Sequence, residues 1–448
     1  MLFSSQDLRK IIIPLILQQA LAVTVGMLDS VMVASAGEAA VSGVSLVDNL
    51  SLLMIYVISA LASGGAITIS QSLGAQNYQL AKEGAKQLVW VVFFLALAIT
   101  VPCLLFRNSI LDLIFGSIAP EIMDNARVYF LFTALSYPLL GVYNACSAIF
   151  RAGGNSRISL WTSLLMNVVN VAGNALLIYG FHLGAAGAAI ATLFARLVGA
   201  AIILYRVCSP TAPIRIEKLL HYQPKWPMIR RICQIGIPNG IENGMFQFGK
   251  VITQSLISTF GAVQIAANAA ANPISAMQYI PGSAIGMAVP VIVGRCIGAG
   301  EFGQAKHYSK KLMKATYLSL LVVTLPTFVF AETFVSLYHL SAPSSELAVR
   351  LLQMHSLWVC TVWPLAFTLP HTFRAASDVR FPMVISSISM WVCRVGLSFV
   401  FGNTLKLGLV GVWLAMSCDW TFRAIIFVIH YLRGKWFTKF QDTHASTS

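Results

Sequence analysis

The sequence predicts an all-α polytopic membrane protein, with twelve transmembrane helices in two six-helix lobes related by a parallel internal repeat. Three observations carry this. Hydrophobic residues make up 57% of the 448 and charged ones only 10%, against about 25% charged in a soluble domain; mean hydropathy is +0.76. Twelve apolar stretches reach the roughly 20 residues that a bilayer crossing needs. The chain also aligns with itself, without a gap through the first hundred or so positions, at a shift of 224 residues, half its length.

In the first half the apolar stretches fall near 11–34, 44–73, 87–106, 128–150, 158–181 and 185–207. In the second they fall near 233–259, 266–294, 312–338, 348–372, 381–402 and 408–432. Six is even, so each half begins and ends on the same side of the membrane. The two copies therefore share one orientation, and the axis relating them is expected along the membrane normal.

The repeat is visible in particular residues. Ile13-Pro14 falls on Ile237-Pro238, Gly37 on Gly261, Thr100 on Thr324, Pro102 on Pro326, and Gly184 and Gly187 on Gly408 and Gly411. Residues 74–86 (GAQNYQLAKEGAK) meet 298–310 (GAGEFGQAKHYSK). That segment is polar, so shared hydrophobicity does not explain the match. A duplicated membrane domain is a common plan for a secondary transporter.

The expected organisation is an N-terminal lobe over 1–207, a cytoplasmic linker over 208–232, and a C-terminal lobe over 233–448. The linker is basic and holds Pro210, Pro213, Pro224 and Pro227, a composition suited to chain that runs over a surface. Residues 74–86 and 298–314 read as short amphipathic helices on the inner face. The polar tail after Lys439 lacks the apolar residues to fold. Residues 1–10 are short and polar, and the apolar run after them is too long for a signal peptide, so the first span is expected to stay in the membrane.

The net charge of +14 is topological. With both termini cytoplasmic, twenty-two of the 30 Lys and Arg fall on the inner side, and only Arg107, Arg127, Arg350 and Lys406 on the outer. That is the positive-inside pattern of a multi-pass plasma (cytoplasmic) membrane protein. It implies contact with anionic membrane lipid and no nucleic-acid partner. The eight cysteines lie in or at the ends of spans without C-x-x-C spacing, as packing residues with no disulfide or metal framework. There is no Ser/His/Asp arrangement, His/Asp metal cluster or Gly-rich phosphate loop. An enzyme, a receptor or an ATP-driven pump is thereby disfavoured, and no cofactor is expected. A small organic substrate handled by a monomer is the simplest expectation.

Charge inside a span costs several kcal/mol, on the order of 2.5–3.5 on insertion scales, so such residues mark function by default. Asp29 lies in the first span, in GMLDSVMVASAG, with no Lys or Arg in that stretch. A carboxyl group in low dielectric gains by staying neutral, so it can carry a proton or give it up when a cation arrives. The alternative is a static pair with a cation on another span. The fifth span has Asn167, Asn170 and Asn174; Asn170 and Asn174 are four apart and share a face. The sixth offers Thr192. These oxygens suit a weak sodium site or a hydrogen-bond shell around a proton-carrying Asp, and equally suit polar glue between helices.

The seventh span carries a stripe, Asn243, Gln247, Lys250 and Gln254, with Glu242 beside it; such a stripe lines something wet or polar. Lys250 stands where the first copy has Gly26, and Arg394 where it has Asn170. Asp419 and Arg423 are four apart and read as a structural pair. Asp48 and its mate Asn272 begin the second and eighth spans and suit an outer cavity wall. Pro273, Pro281 and Pro290 predict kinks in the eighth span. Tyr137, Trp358, Trp363 and Met277 suit either a deformable wall for flat organic cations or plain packing.

These motifs also resemble a known family. LDSVMVASAGEAAVSGVSL resembles the first two helices of multidrug and toxic compound extrusion (MATE) transporters. So do LGAQNYQLAK, FRAGGNSR from Phe150 to Arg157, and ALLIYGFHLGAAGAAIAT; IGAGEFGQAK and FRAASDVR sit where second copies belong. The resemblance implies export of cationic or polyaromatic compounds, driven by inward proton or sodium flow. It also implies a first-lobe cation site with an Asp on the first helix, an Asn and an Asp one turn apart on the fifth, and a Thr on the sixth. Asp29, Asn170, Asn174 and Thr192 occupy those places. Asn174 departs by replacing the second acid, which weighs against sodium and makes Asp29 decisive. The family's second-lobe acids are not carried over, because Glu242 lies near the start of its span, Lys250 lies deeper, and 348–372 has no acid. The remaining alternative is a flippase for a lipid-linked sugar from the same broad superfamily, which Lys250, Arg394 and Arg423 keep open.

Overall fold

The computed structural model describes residues 2–116 and 118–437, and no strand occurs among them. α1 (Ser5–Ala34) starts at a reciprocal cap. The Ser4 hydroxyl accepts from the Asp7 backbone N–H, and the Asp7 carboxylate accepts from that of Ser4, satisfying two donors that a helix start leaves open. α2 (Glu38–Gly74) follows Gly37, and α3 (Tyr78–Leu105) follows an Asn77 cap. After the short α4 (Arg107–Phe115), α5 (Pro120–Leu135) and α6 (Tyr137–Ala152) form one passage bent by 43°. Pro138 in the first turn of α6 explains the bend, since proline has no N–H for the turn before it. α7 (Ser156–Asn174) widens into a π-helical turn, Ala175–Gly180, and α8 (Gly184–Cys208) closes the first copy.

The second copy comprises α9 (Trp226–Ile257), α10 (Ala262–Gln278), α11 (Ile280–Gly298), α12 (Phe302–Val329), the short α13 (Ala331–Ser336), α14 (Ala342–Thr361) and α15 (Pro370–Ala375). α16 (Arg380–Ser389) and α17 (Leu397–Phe399) follow, with π-helical Met390–Gly396 between them, and then α18 (Gly408–Arg433). Among the described residues nine helices are long and apolar enough to cross a membrane, ten with the bent pair. The other two of the twelve expected passages run along α9 and along α14 into α15. They are more polar because α9 carries Glu242, Lys250 and its amide stripe, and α14 carries Glu346 and Arg350.

The repeat is written in the backbone. α2 spans Glu38–Gly74, and α10 with α11 spans Ala262–Gly298, the same interval 224 residues on; α3 and α12 match in the same way. Left-handed residues recur in register: Gly37 and Gly261 (φ 106° and 93°), His182 and Lys406 (55° and 53°), Gly184 and Gly408 (53° and 56°). One difference is local. α2 is continuous, whereas its counterpart breaks at Tyr279, because Pro281 stands where α2 has Val57.

Two expectations need correction or placing. Residues 74–86 and 298–314 are not separate amphipathic helices. Each is a tight turn followed by the opening turns of α3 or α12; a polar helix start has the same composition as a surface helix. The tail after Lys439 lies outside the described residues.

Contacts divide the chain into two compact units: Ser4–Gly240, and Ile241 onward joined by the first residues of the chain. The first unit packs Val47, Ile58, Leu88, Val92, Phe130, Phe150 and Ile203 in one core. α2 meets the start of α9 backbone to backbone: a Cβ on Gly64 would stand 2.7 Å from the Gly236 nitrogen. The connection between α8 and α9 lies along α3. Lys86, Gln87 and Trp90 donate to the carbonyls of His221, Gln223 and Leu219 at 2.6, 2.7 and 3.0 Å, and Lys225 pairs with Glu83. In the second unit Leu256, Ala271, Leu351, Leu352 and Trp413 form one cluster. Val359, Trp363 and Trp420 form another. The eight cysteines are free thiols.

Candidate functional site

In the first unit, α1, α7 and α8 bring together four residues of opposite hydrogen-bonding character. Asn174, at the end of α7, donates from Nδ2 to Asp29 Oδ1 at 2.8 Å. The Asn170 amide, turned with its nitrogen toward Asp29, donates to Oδ1 at 2.8 Å and Oδ2 at 3.1 Å, and its oxygen accepts from the Thr192 hydroxyl at 3.2 Å. The spacing of four on α7 places both amides on one side of Asp29. The wide turn after Asn174 is a π-helical segment, a feature frequent at functional sites. Asn170 and Asn174 are buried, and Asp29 is partly exposed. Among the described residues Asp29 forms no ion pair, so the static-pair alternative finds no partner. Asn174 Oδ1 is buried without a hydrogen-bond partner, a loss of about 1–3 kcal/mol for a neutral acceptor.

Asp48 on α2 has partners that the sequence reading did not single out. The Tyr129 hydroxyl on α5 donates to Asp48 Oδ1 at 3.0 Å. Arg196 on α8 donates from Nη1 to the Ser136 hydroxyl at 2.6 Å, and its charge attracts Asp48. Arg196 carried a usable signal, a cation in the middle of an apolar span, the same reasoning that marked Asp29. Tyr137, expected on a cavity wall, is instead fully buried in the core with its hydroxyl 3.0 Å from that of Ser51. Its place in the first turn of α6, beside the bend, turns the ring inward.

In the second unit the stripe on α9 is observed. Asn243 and Gln247 are partly exposed, and Lys250 and Gln254 are exposed. Gln254 Oε1 accepts from Asn268 at 3.2 Å, and Asn268 in turn accepts from the Trp413 indole at 3.1 Å. Asn272 and Met277 are exposed on α10. Trp358 is partly exposed, while Trp363 is buried and stacks on Tyr279 and Phe367. Glu242 is ion-paired with Arg374 at 2.6 Å, both side chains about a tenth exposed. Arg374 is a buried residue in the last turn of α15.

Asp419 is fully buried and held by Arg423 Nε at 2.8 Å and by the Ser389 hydroxyl. Arg394 Nη1 stands off at 4.0 Å. Three cations gather on one ring: Lys250 Nζ, Arg394 Cζ and Arg423 Cζ lie 5.9, 5.3 and 5.7 Å from the Phe246 centroid. A cation–π contact is worth about 0.5–2 kcal/mol. Taking a charge out of water costs several kcal/mol, of order 20 in the idealised limit. Asp419 pairs closely with Arg423 through Oδ1 and more loosely with Arg394 through Oδ2, and Lys250 stands outside this group. Lys250 makes no ion pair among the described residues. Nor do the described residues contain a group of three or more His, Cys, Asp or Glu placed to hold a metal ion.

Against known proteins, the sequence model of the MatE family matches residues 14–176 and 238–400, two stretches offset by the same 224 residues as the internal repeat. A curated relative from Thermotoga maritima, named probable multidrug resistance protein NorM, is 27% identical and aligns over 96% of this chain and 93% of its own. A solved structure of a multidrug resistance MATE family transporter of the MOP superfamily, in an outward-facing conformation, superimposes with a TM-score of 0.90 at 19% identity. It covers 97% of this chain and 96% of the other. A MOP superfamily transporter from Pyrococcus furiosus, described as having a binding pocket of reverse polarity, superimposes equally well: TM-score 0.90, 18% identity, 96% of each chain.

Proposed function

The chain belongs to the MatE family, and on that premise we propose that it is a secondary multidrug efflux transporter, exporting small organic cations in exchange for protons or sodium ions. The observation that carries this reading is the Asp29 cluster, a carboxylate with no counter-cation among the described residues, steadied by Asn170 and Asn174 with Thr192 behind. The relative named for multidrug resistance supports the substrate range. The protein is a multi-pass membrane protein; we place it in the plasma membrane as a monomer with both termini cytoplasmic. It needs no cofactor.

In the outward-facing state Asp29 takes up the coupling ion. Neutralising it removes the attraction that holds a cationic substrate and lets α1 repack. Substrate then leaves outward, the lobes alternate in access, and the ion is released inward. Coupling needs only that ion and substrate prefer different states of the same protein. With one carboxylate in direct contact and amides otherwise, a proton fits better than sodium, and Asn174 Oδ1 is left over as an acceptor for either.

The test uses the purified chain in liposomes loaded with a fluorescent organic cation, with pH and sodium gradients imposed separately. Asp29→Asn is expected to abolish gradient-driven efflux while the protein still reaches the membrane. Full transport by that variant sinks the mechanism. Failure of both gradients to move any cation in the wild type would favour the flippase.

A further inference from the structure

The Asp29 cluster leaves the cations of the second unit unused, and their arrangement has its own chemistry. Asp419 is committed to Arg423 and Ser389 in a fully buried pair. Arg394, on the widened turn Met390–Gly396, is left 4.0 Å from that carboxylate. Lys250 has no ion pair at all among the described residues, and it shares the Phe246 ring with Arg394. Two like charges against one aromatic ring repel, and low dielectric strengthens the repulsion. The repeat itself does not require these charges: the first copy has Gly26 and Asn170 at the aligned positions.

We propose that Lys250, Arg394 and Phe246 form a binding site for the carboxylate of an aromatic organic acid. Lys250 is exposed, so a ligand can reach it, and Arg394 is mostly enclosed, so the ligand's charge ends in a desolvated place. A guanidinium meets a carboxylate with paired N–H donors, and the ammonium supplies a second, mobile charge. Gln247 and Asn243 lie along the same stripe of α9, with amide donors for the remaining lone pairs. Phe246 and Phe367, edge to face at 6.2 Å, offer an aromatic wall. The site goes beyond cation efflux: it selects the opposite charge, it does not include Asp29, and its occupation is measured without any gradient.

The test is titration calorimetry on the full chain in phosphatidylcholine nanodiscs, with 1-naphthoate and 1-naphthylmethylammonium as ring-matched probes of opposite charge. Naphthoate is expected to bind, and to weaken by roughly tenfold or more in Lys250→Met. Lys250→Arg should retain it, and added salt should weaken it. Arg394→Gln disturbs the neighbourhood of the buried Asp419 pair, so the exposed Lys250→Met decides. Naphthoate binding in Lys250→Met at wild-type strength overturns the site, as does its absence from the wild type. The same titration with dioctanoyl phosphatidylglycerol separates a free acid from a lipid headgroup. Lipid binding that needs Lys250, without naphthoate binding, would overturn the assignment to a free acid.

Discussion

The two copies of the repeat keep most of one backbone and exchange their charges. Asp29 corresponds to Thr253, Asn170 to Arg394, Asn174 to Ser398 and Gly26 to Lys250. In the first copy the side chains reach across helices, from α7 to α1 and toward α8. In the second, the Thr253 and Ser398 hydroxyls turn back onto carbonyls of their own helical segments, and the cross-helix chemistry passes to Lys250, Arg394 and Asp419. Capping glycines and left-handed turns are held in place by sterics and recur. A polar residue inside a span is held only by what it does, and these diverge.

The largest effect is expected from making the first copy resemble the second. Asn170→Arg puts a guanidinium where an amide now faces Asp29. The carboxylate gains the static partner it lacks, and a buried pair of this kind resists neutralisation of either member. Gradient-driven efflux should fall to the level of Asp29→Asn, in protein that still elutes as a single species in detergent. Retained transport in Asn170→Arg would mean that a free carboxylate at position 29 is not what couples.

A second change tests the scaffold. Val57→Pro gives α2 the proline that breaks its counterpart at Tyr279. In a helix interior proline costs about 3 kcal/mol or more, and α2 packs against α3, α5 and α6 in the main core, so a marked fall in melting temperature is expected. Pro281→Val, at the existing break, should move it far less. Equal shifts would show that the break is not set by this residue.

Local signals made much of this legible. Apolar run length marked the passages and the polar match at 74–86 proved the duplication, while the residues alone left Asp29, Asn170, Asn174 and Thr192 open between an ion site and polar glue, and the family resemblance grouped them. Contacts distant in sequence were not legible. Nothing in the composition of α9 pairs Glu242 with Arg374, which lies 132 residues on. Phe246 reads as one more apolar residue, and only the fold shows three cations converging on it. Tyr137 and the surface tyrosines share a residue type, and burial separates them. The missed Arg196 is different: the rule that selected Asp29 applied to it equally.

The smallest expected effect lies at matching helix starts. Asn77 caps α3, its side chain accepting from the Leu80 N–H at 2.9 Å. Glu301, its counterpart before α12, makes no such cap. A short amide side chain reaches the third N–H of a helix, whereas the longer Glu side chain is not suited to that reach, and its carboxylate accepts instead from the Gln304 amide at 3.3 Å. Asn77→Ala should therefore cost about 0.5–2 kcal/mol. Glu301→Ala should stay within about 0.5 kcal/mol of the parent. Thermal melts of the two variants in the same detergent measure the difference. Should Glu301→Ala cost as much as Asn77→Ala, the matched backbone alone would not explain how the second copy starts this helix, and the two halves would share less of their folding than their dihedral angles imply.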